Sequence, residues 1–330
     1  MAPQGSELDD VAVIAIGRNE GQRLRRCLRS AVPLGARVIY VDSGSTDGSR
    51  ELARAEGADV VELDMSLPFT AARARNAGLA HVLQQAEQPA LIQFVDGDCE
   101  IEAGWLVAGR SALLADTQIG AVFGRRRERF PDASVYNALC DEEWNGPAGD
   151  AKYCGGDVMF RTSAIREVGG YRETLIAGEE PELCVRLRQR GWRIVRLALP
   201  MTIHDAAMTR FSQWWKRAVR SGHAFAEGAH LHGASAGHWV RETRRIWVWG
   251  VVIPALILAG AVVVNPWVFV MGLVYPLQVA RLYMRKRTAS RIPFWSALYT
   301  VLAKFPEAVG LLTFNANHMR GKATALIEYK

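Results

Sequence analysis

Short apolar runs alternate with helical patterns along the first part of the chain. Val11–Ile16 is an apolar run that ends at Gly17. A helical pattern follows, with Leu24, Cys27, Leu28 and Ala31 on its inner face. Val38–Val41 and Val60–Leu63 read as further strands, and Ser49–Glu56 and Phe69–Leu83 as helices. Asp47 precedes the first of these helices as a capping residue and Gly57 closes it. Leu91–Asp96 is another short, β-prone run, followed by a helix over Trp105–Leu114. Strand and helix thus alternate four times in about the first 115 residues, which predicts a right-handed, mostly parallel α/β sheet with helices on both faces. Beyond it the alternation stops. Ile119–Arg129 mixes a strand with a basic cluster, Lys152–Arg161 joins a Gly-Gly bend to Asp157 and an apolar strand, and Ile176–Gly191 is helical with Pro181 in its first turn. Ile194–Leu199 is a last strand before His204 and Asp205.

The pattern then changes character. Phe211–Phe225 sets aromatics among cations and predicts an interfacial amphipathic helix or a helix packing its tryptophans on the preceding domain. Ile246–Val264 is an uncharged run of 19 residues, long enough to cross a hydrocarbon core. Asn265-Pro266 breaks it, and Trp267–Ala280 continues apolar, with Pro276 inside. Arg241, Arg244 and Arg245 precede the pair, and Arg281, Arg285, Lys286 and Arg287 follow it. Cations on both flanks put both ends in the cytoplasm and predict a helical hairpin, with the second arm either spanning or re-entrant. Ile292–Phe314, interrupted by Lys304, Pro306 and Glu307, is expected to lie at the interface without spanning, and Ala323–Lys330 to form a short strand or a tail. The expected organisation is a catalytic domain over residues 1–205, interfacial helices over 206–245 and a membrane hairpin with its following segments over 246–330. The expected location is the cell's inner membrane, with the catalytic domain cytoplasmic.

Composition narrows the options. A net charge of +6 over 330 residues suits a membrane surface or an anionic substrate and argues against nucleic acid. Five scattered cysteines without a C-x-x-C pair suit a reducing compartment and no structural zinc. The polar N-terminus has no signal-peptide pattern. There is no G-x-G-x-x-G after the first strand and no G-x-x-x-x-G-K-[ST], which disfavours dinucleotide-binding and P-loop folds.

The candidate chemistry gathers at strand ends. Asp96 and Asp98 flank Gly97 at the end of a buried run, where α/β sheets present ligand groups. Two carboxylates there form a hard-oxygen site for Mg²⁺ or Mn²⁺, which in turn holds a diphosphate. Gly97 permits close backbone approach. Asp42 also ends a strand, where a ribose or base binds. One arginine of Arg73 and Arg75 is placed to turn back toward a nucleotide. Glu179, Glu180 and Glu182 crowd a helix N-terminus, where one acid satisfies the dipole and a further one is available as a general base. His204 is a candidate third metal ligand.

Together these residues resemble the inverting family 2 glycosyltransferases of GT-A fold, over roughly Val11–Phe225. The markers are IGRNEG (Ile16–Gly21), DSGSTDG (Asp42–Gly48), ARARNAG (Ala72–Gly78), the Asp96–Asp98 triplet, CGGDVMFR (Cys154–Arg161), GEEPEL (Gly178–Leu183) and His204. The resemblance implies a nucleotide-sugar donor contacted by Asp42, Arg75, Asp96, Gly155, Gly156 and Asp157. It implies a metal held by Asp98, Asp96 and His204, Glu180 as the base, and Glu182 helping to place the acceptor. Ser43 stands where many relatives have a second Asp, which leaves the nucleobase open, and Glu179-Glu180 stands where many have Glu-Asp. The membrane segments imply an acceptor that is itself membrane-bound, such as a lipid-linked glycan, a glycolipid or a surface polysaccharide precursor. Two rival readings are a nucleotidyltransferase of similar α/β fold, which releases inorganic diphosphate, and a non-catalytic membrane scaffold, which binds no sugar nucleotide.

Overall fold

The computed structural model describes residues 8–322; the segment Ala323–Lys330, expected as a strand or tail, lies outside the described residues. The chain divides into two compact units. The first takes the chain to Phe130, then Glu143–Leu175 and Glu179–Ala206; the second takes Pro131–Glu142, Ile176–Gly178 and everything from Ala207 onward.

Nine strands of the first unit form one sheet among the described residues: β1 Val11–Gly17, β2 Arg37–Asp42, β3 Asp59–Glu62, β4 Leu91–Asp96, β5 Cys99–Ile101, β6 Ile119–Glu128, β7 Gly149–Asp150, β8 Val158–Arg161 and β9 Arg193–His204. Their order is β3-β2-β1-β4-β8-β6-β9-β5, with β7 paired to β9. The expected parallel pairing holds for β3, β2, β1 and β4. The other half departs from it: β8 is antiparallel to β4 and β6, and β5 and β7 are antiparallel to β9. The helices are α1 Gln22–Ala31, α2 Ser49–Ala55, α3 Ala71–Leu83, α4 Trp105–Ala115, α5 Val135–Glu143, α6 Thr162–Glu167 and α7 Glu179–Gln189.

Both faces of the sheet are buried. Val11, Val13 and Ala15 of β1 join Leu24, Leu28, Tyr40 and Trp105 on one side, while Ala12, Ile14 and Ile16 join Ile39, Phe94, Phe160 and Leu183 on the other. A strand buried on both faces must be apolar at every position, which is why β1 reads as a continuous run without alternation. All five cysteines are free and buried, consistent with their scatter in sequence. Gly48, not Asp47, is the N-cap of α2; Asp47, one residue earlier, accepts from the Ser49 N–H and hydroxyl.

The second unit continues with α8 Phe211–Ala236, α9 Val240–Ile246, α10 Ile253–Val263, α11 Val274–Lys286, α12 Pro293–Leu302 and α13 Lys304–Met319. The stretch expected to be interfacial is thus the start of a 26-residue helix. α8 and α13 cross in backbone contact: a Cβ added at Gly310 would lie 1.9 Å from the Val219 carbonyl oxygen, and one at Gly222 2.0 Å from that of Glu307. Among the described residues, three helical stretches are long and apolar enough to cross a membrane: Val240–Val263, Pro266–Lys286 and Pro293–Met319. The third qualifies by length and composition and includes the segment expected to lie at the interface. Lys304 and Glu307 pair with each other along α13, and Pro306 sits in its first turn, so neither the charges nor the proline breaks the stretch.

Candidate active site

The Asp96–Gly97–Asp98 triplet is a turn between two strands. β4 ends at Asp96 and β5 begins at Cys99, so the three residues reverse into a short strand that pairs with the end of β9. Cys99 is opposite His204 in that register. The pairing explains why two residues 106 positions apart meet: the Asp98 carboxylate lies 3.2 Å from the His204 Nε2. The Gly97 N–H donates to the Ile16 carbonyl, and a Cβ at Gly97 would sit 3.0 Å from that oxygen, so the close approach expected of this glycine is realised.

Asp96 is held differently. One of its oxygens accepts from Arg75 Nη2 at 2.9 Å and the other from Arg126 Nη2 at 3.0 Å. Arg75, almost wholly buried, also reaches Glu179 at 2.8 Å and Glu180 at 2.9 Å with Nη1. One guanidinium therefore gathers three carboxylates from β4 and the first turn of α7. The backbone of the Gly155–Gly156 bend closes over them: a Cβ at Gly156 would lie 2.6 Å from Arg75 Nη2, 3.0 Å from Asp96 Oδ2 and 3.1 Å from Glu180 Oε1. Only glycine leaves room there, whereas nothing crowds Gly155.

A second layer supports this one. Asp157 is buried and accepts from Arg126 at 2.8 Å, from the Asp96 N–H at 3.0 Å and from the Thr202 hydroxyl at 2.6 Å. Glu128 is buried 3.7 Å from His204 Nδ1 and accepts from the Phe130 and Ala206 N–H groups. Trp144 packs edge-on against His204, with ring centroids 4.8 Å apart, and Arg126 lies over its ring. The strand period supplies Arg126 and Glu128: they share the inward face of β6, while Arg125 and Arg127 point the other way.

The electrostatics separate the carboxylates. Burial works against the charge of Asp96, but Arg75 and Arg126 outweigh it and hold its carboxyl well below the ordinary range. Glu180 goes the opposite way. Burial first, then the charge of Glu179, push it up to about 7 against the pull of Arg75. Two acids bound to the same arginine thus end with different protonation behaviour, as general acid–base sites require.

Several of the expected residues have protein partners of their own. Asp42 ends β2 as predicted, but its oxygens accept from the Gly44 and Ser45 N–H groups and the Tyr40 hydroxyl, so it is committed to its own turn. Arg75 is buried and paired with Asp96, Glu179 and Glu180. Asp157 is buried and bound to Arg126, Thr202 and the Asp96 N–H. Asp96, expected as a metal ligand, has both oxygens bound by arginines. Glu182 is buried and clamped by Arg186, with Arg172 also bound. The sequence held signals for two of these. Ala72, Arg75, Leu79 and Val82 recur at helical spacing on the buried face of α3, which puts Arg75 inside. Glu182 and Arg186 are an i,i+4 pair. Asp98, His204, Glu180 and Gly156 are brought to adjacent strand and helix ends as expected, while Arg126, Glu128 and Trp144 are additions that the sequence reading left in a basic cluster and a loop.

Comparison with known proteins places this geometry. The family model for glycosyl transferase family 2 matches residues 12–169. The chain carries a family 2 glycosyltransferase domain. Over 243 residues it is 30% identical to the pre-mycofactocin glycosyltransferase of Mycobacterium tuberculosis, covering 70% of this chain and 50% of that one. Over 174 residues it is 30% identical to the succinoglycan biosynthesis protein ExoA of Rhizobium meliloti, covering 50% and 52% respectively. The chain therefore spans about half the length of these relatives. The mannosyltransferase PcManGT from Pyrobaculum calidifontis, solved in complex with GDP-Man and Mn²⁺, superposes with a TM-score of 0.59 at 19% identity, covering 94% of this chain and 89% of that one. The glycosyltransferase domain thus has the mixed, curled GT-A sheet, and three long apolar C-terminal stretches follow it as candidate membrane spans.

Proposed function

We propose that this chain is a membrane-anchored, metal-dependent, inverting glycosyltransferase. It would move a sugar from a nucleotide-sugar donor to a membrane-bound acceptor, from the cytoplasmic face of the inner membrane. The observation that carries the reading is the joining of two features in a family 2 domain: the Asp98–His204 pair at the ends of β5 and β9, and Glu180 with a pKa of about 7 on the arginine that also holds Asp96.

The donor set fits Mg²⁺ or Mn²⁺. A carboxylate and an imidazole converge, and the acids Asp96, Asp98, Glu128, Asp157, Glu179 and Glu180 around them outnumber Arg75 and Arg126, the arginines paired with Asp96, Asp157, Glu179 and Glu180. Such an excess of negative charge favours a divalent cation. Asp98 and His204 would hold it, and it would offset charge on a departing diphosphate. Asp96 stays with its arginines and fixes the floor of the site, with Gly156 above it. Glu180 takes the proton of the acceptor hydroxyl as that oxygen bonds the anomeric carbon and the carbon–phosphate oxygen bond breaks. One base with no enzyme nucleophile gives a single displacement and an inverted anomeric centre. The solved mannosyltransferase complex with GDP-Man and Mn²⁺ supports this choice of donor class and ion.

A thermal-shift panel of nucleotides and sugar nucleotides, with and without Mn²⁺, tests the proposal. A donor raises the melting temperature only with the metal present, because a ligand bound to the folded state alone stabilises it. In Asp98→Ala the metal-dependent part of the shift disappears. Turnover releases a nucleoside diphosphate. Release of inorganic diphosphate instead establishes the nucleotidyltransferase reading, and no shift with any nucleotide leaves a non-catalytic scaffold.

A further inference from the structure

The two apolar helices of the second unit are joined by an unusually dry turn. From Ile246 to Ala280 there is no charged side chain, and the turn itself reads Val262-Val263-Val264-Asn265-Pro266-Trp267. Val262, Val263, Val264 and Trp267 are each more than three-quarters exposed. The backbone N–H groups of the turn are nevertheless bonded internally. The Val264 and Asn265 N–H groups both donate to the Gly260 carbonyl, at 2.8 and 3.2 Å. Pro266 has no N–H. The Trp267 N–H donates to the Asn265 side chain at 2.9 Å and the Val268 N–H to the Asn265 carbonyl at 3.0 Å. The Asn265 side-chain oxygen is thus spent as the cap of the second arm. A turn meant for water has no need to satisfy each backbone donor itself, whereas in hydrocarbon an unsatisfied donor costs several kcal/mol, of order 4–8 on a transfer scale.

Length agrees. The first arm runs from Ile246 to Val263, about 27 Å at 1.5 Å per residue. The second runs from Pro266 to Ala280, its first eight residues in the tighter 3₁₀ form, and reaches roughly 26 Å. The hydrocarbon core is about 30 Å thick and the bilayer with headgroups about 40–45 Å. Arg244 and Arg245 before the first arm and Arg281 and Arg285 in the second form a cationic collar at the open end. With that collar at one headgroup layer, the turn stops short of the water on the other side.

We propose that Val240–Lys286 is a monotopic hairpin: it enters and leaves the bilayer through the same leaflet, and its Val262–Trp267 turn remains in lipid hydrocarbon. The partner of this exposed apolar surface is therefore acyl chain along its whole length, and the hairpin offers no loop to the far compartment. The inference rests on the membrane part of the proposed function and not on the sugar-transfer chemistry.

The test uses the full chain in sealed membrane vesicles of both orientations, with Val264→Cys and, separately, Val263→Cys, both at side chains that nothing packs against. Thr288→Cys, just beyond the collar, is the reference. A membrane-impermeant maleimide labels the Thr288→Cys protein from one side only. It leaves the 263 and 264 thiols at the background set by the five native cysteines from either side, until detergent opens them. Labelling of either turn position from the side opposite to residue 288 shows a hairpin that crosses the membrane and overturns the proposal. Recovery of the parent chain in the soluble fraction without detergent, by contrast, removes the membrane reading itself, so the two failures are told apart.

Discussion

Glu180 is where stability and chemistry oppose each other. Its carboxyl is raised from an ordinary 4.5 to about 7 by burial and by Glu179. The folded state thus holds a proton that the unfolded chain releases at lower pH. The stability this proton contributes is full below about pH 4.5 and lost as pH rises through about 7. Glu180→Gln keeps the size and removes the ionisation, so it should melt higher than the parent at pH 8, by up to about 3 kcal/mol of stability, with the difference shrinking as pH falls and gone by about pH 4. Circular dichroism melts at the two pH values check this. The same variant should lose about 10²–10⁴-fold in transfer rate, the usual worth of a positioned base, and kcat/KM of the parent should fall as pH drops below about 7. A Glu180→Gln protein that transfers sugar at the parental rate removes the residue from the mechanism. Gly156→Ala makes a different demand. Its methyl group would enter the space of Arg75, Asp96 and Glu180 together, so activity should fall at least tenfold with donor binding weakened. Gly155→Ala, with open space around it, should leave both nearly unchanged. Kinetics on the two neighbours separates a steric effect at the site from a general loss of loop freedom.

The parallel strands were legible because each is a short apolar run bounded by turn chemistry, and β1, β2 and β4 begin and end within a residue of their expected limits. What was not legible was pairing that depends on distant partners. β5 is three residues long, and only its antiparallel contact with β9 makes it a strand; that contact also sets Asp98 against His204. Asp98 and His204 were readable as ligand types, while their meeting was not. Arg75 was readable as a site residue, but its acid partners Asp96, Glu179 and Glu180 were not, because a short sequence does not say which distant carboxylates a cation meets. In the second unit the glycines carry a similar hidden message. Gly222 and Gly310 let α8 and α13 touch backbone to backbone, and Gly250 stands 2.2 Å from the Lys304 carbonyl by the same measure. Gly310→Leu cannot be accommodated by a rotamer change, since the obstruction is main-chain oxygen. It should cost at least about 1–3 kcal/mol and reduce the detergent-solubilised melting temperature, whereas Gly272→Leu, with nothing near it, should not. Equal melting of the two variants would mean that the helices do not cross in contact.

The division of the chain into units does not follow its order, and this bears on how the enzyme can be cut down. The natural place to trim is after Ala206, where the GT-A sheet is complete. Yet Pro131–Glu142 and Ile176–Gly178, which precede that point, belong to the second unit. Within it Tyr136 packs edge-on against Tyr299 at 5.5 Å, Asn137 accepts from the Met208 N–H at 3.0 Å, Glu142 accepts from the Ser290 hydroxyl and the Arg291 N–H, and Asp132 pairs with Arg291. A truncation at 206 removes every one of these partners while leaving α5 in the chain. An aromatic pair alone contributes about 0.5–1.5 kcal/mol beyond its buried area, and the hydrogen bond from the Met208 N–H to Asn137 is lost with it, worth about 0.5–1.5 kcal/mol. The 1–206 fragment should therefore express as aggregate or melt well below the full chain in detergent, despite carrying Asp98, Glu180 and His204. The full chain, which keeps α12 and α13, is the reference. Size-exclusion profiles and donor-induced thermal shifts of the fragment and the full chain decide it. A monodisperse 1–206 fragment that melts cooperatively and binds a sugar nucleotide with Mn²⁺ would show that the α5 contacts with the C-terminal helices are dispensable, and that the membrane unit serves to locate the enzyme without completing its fold.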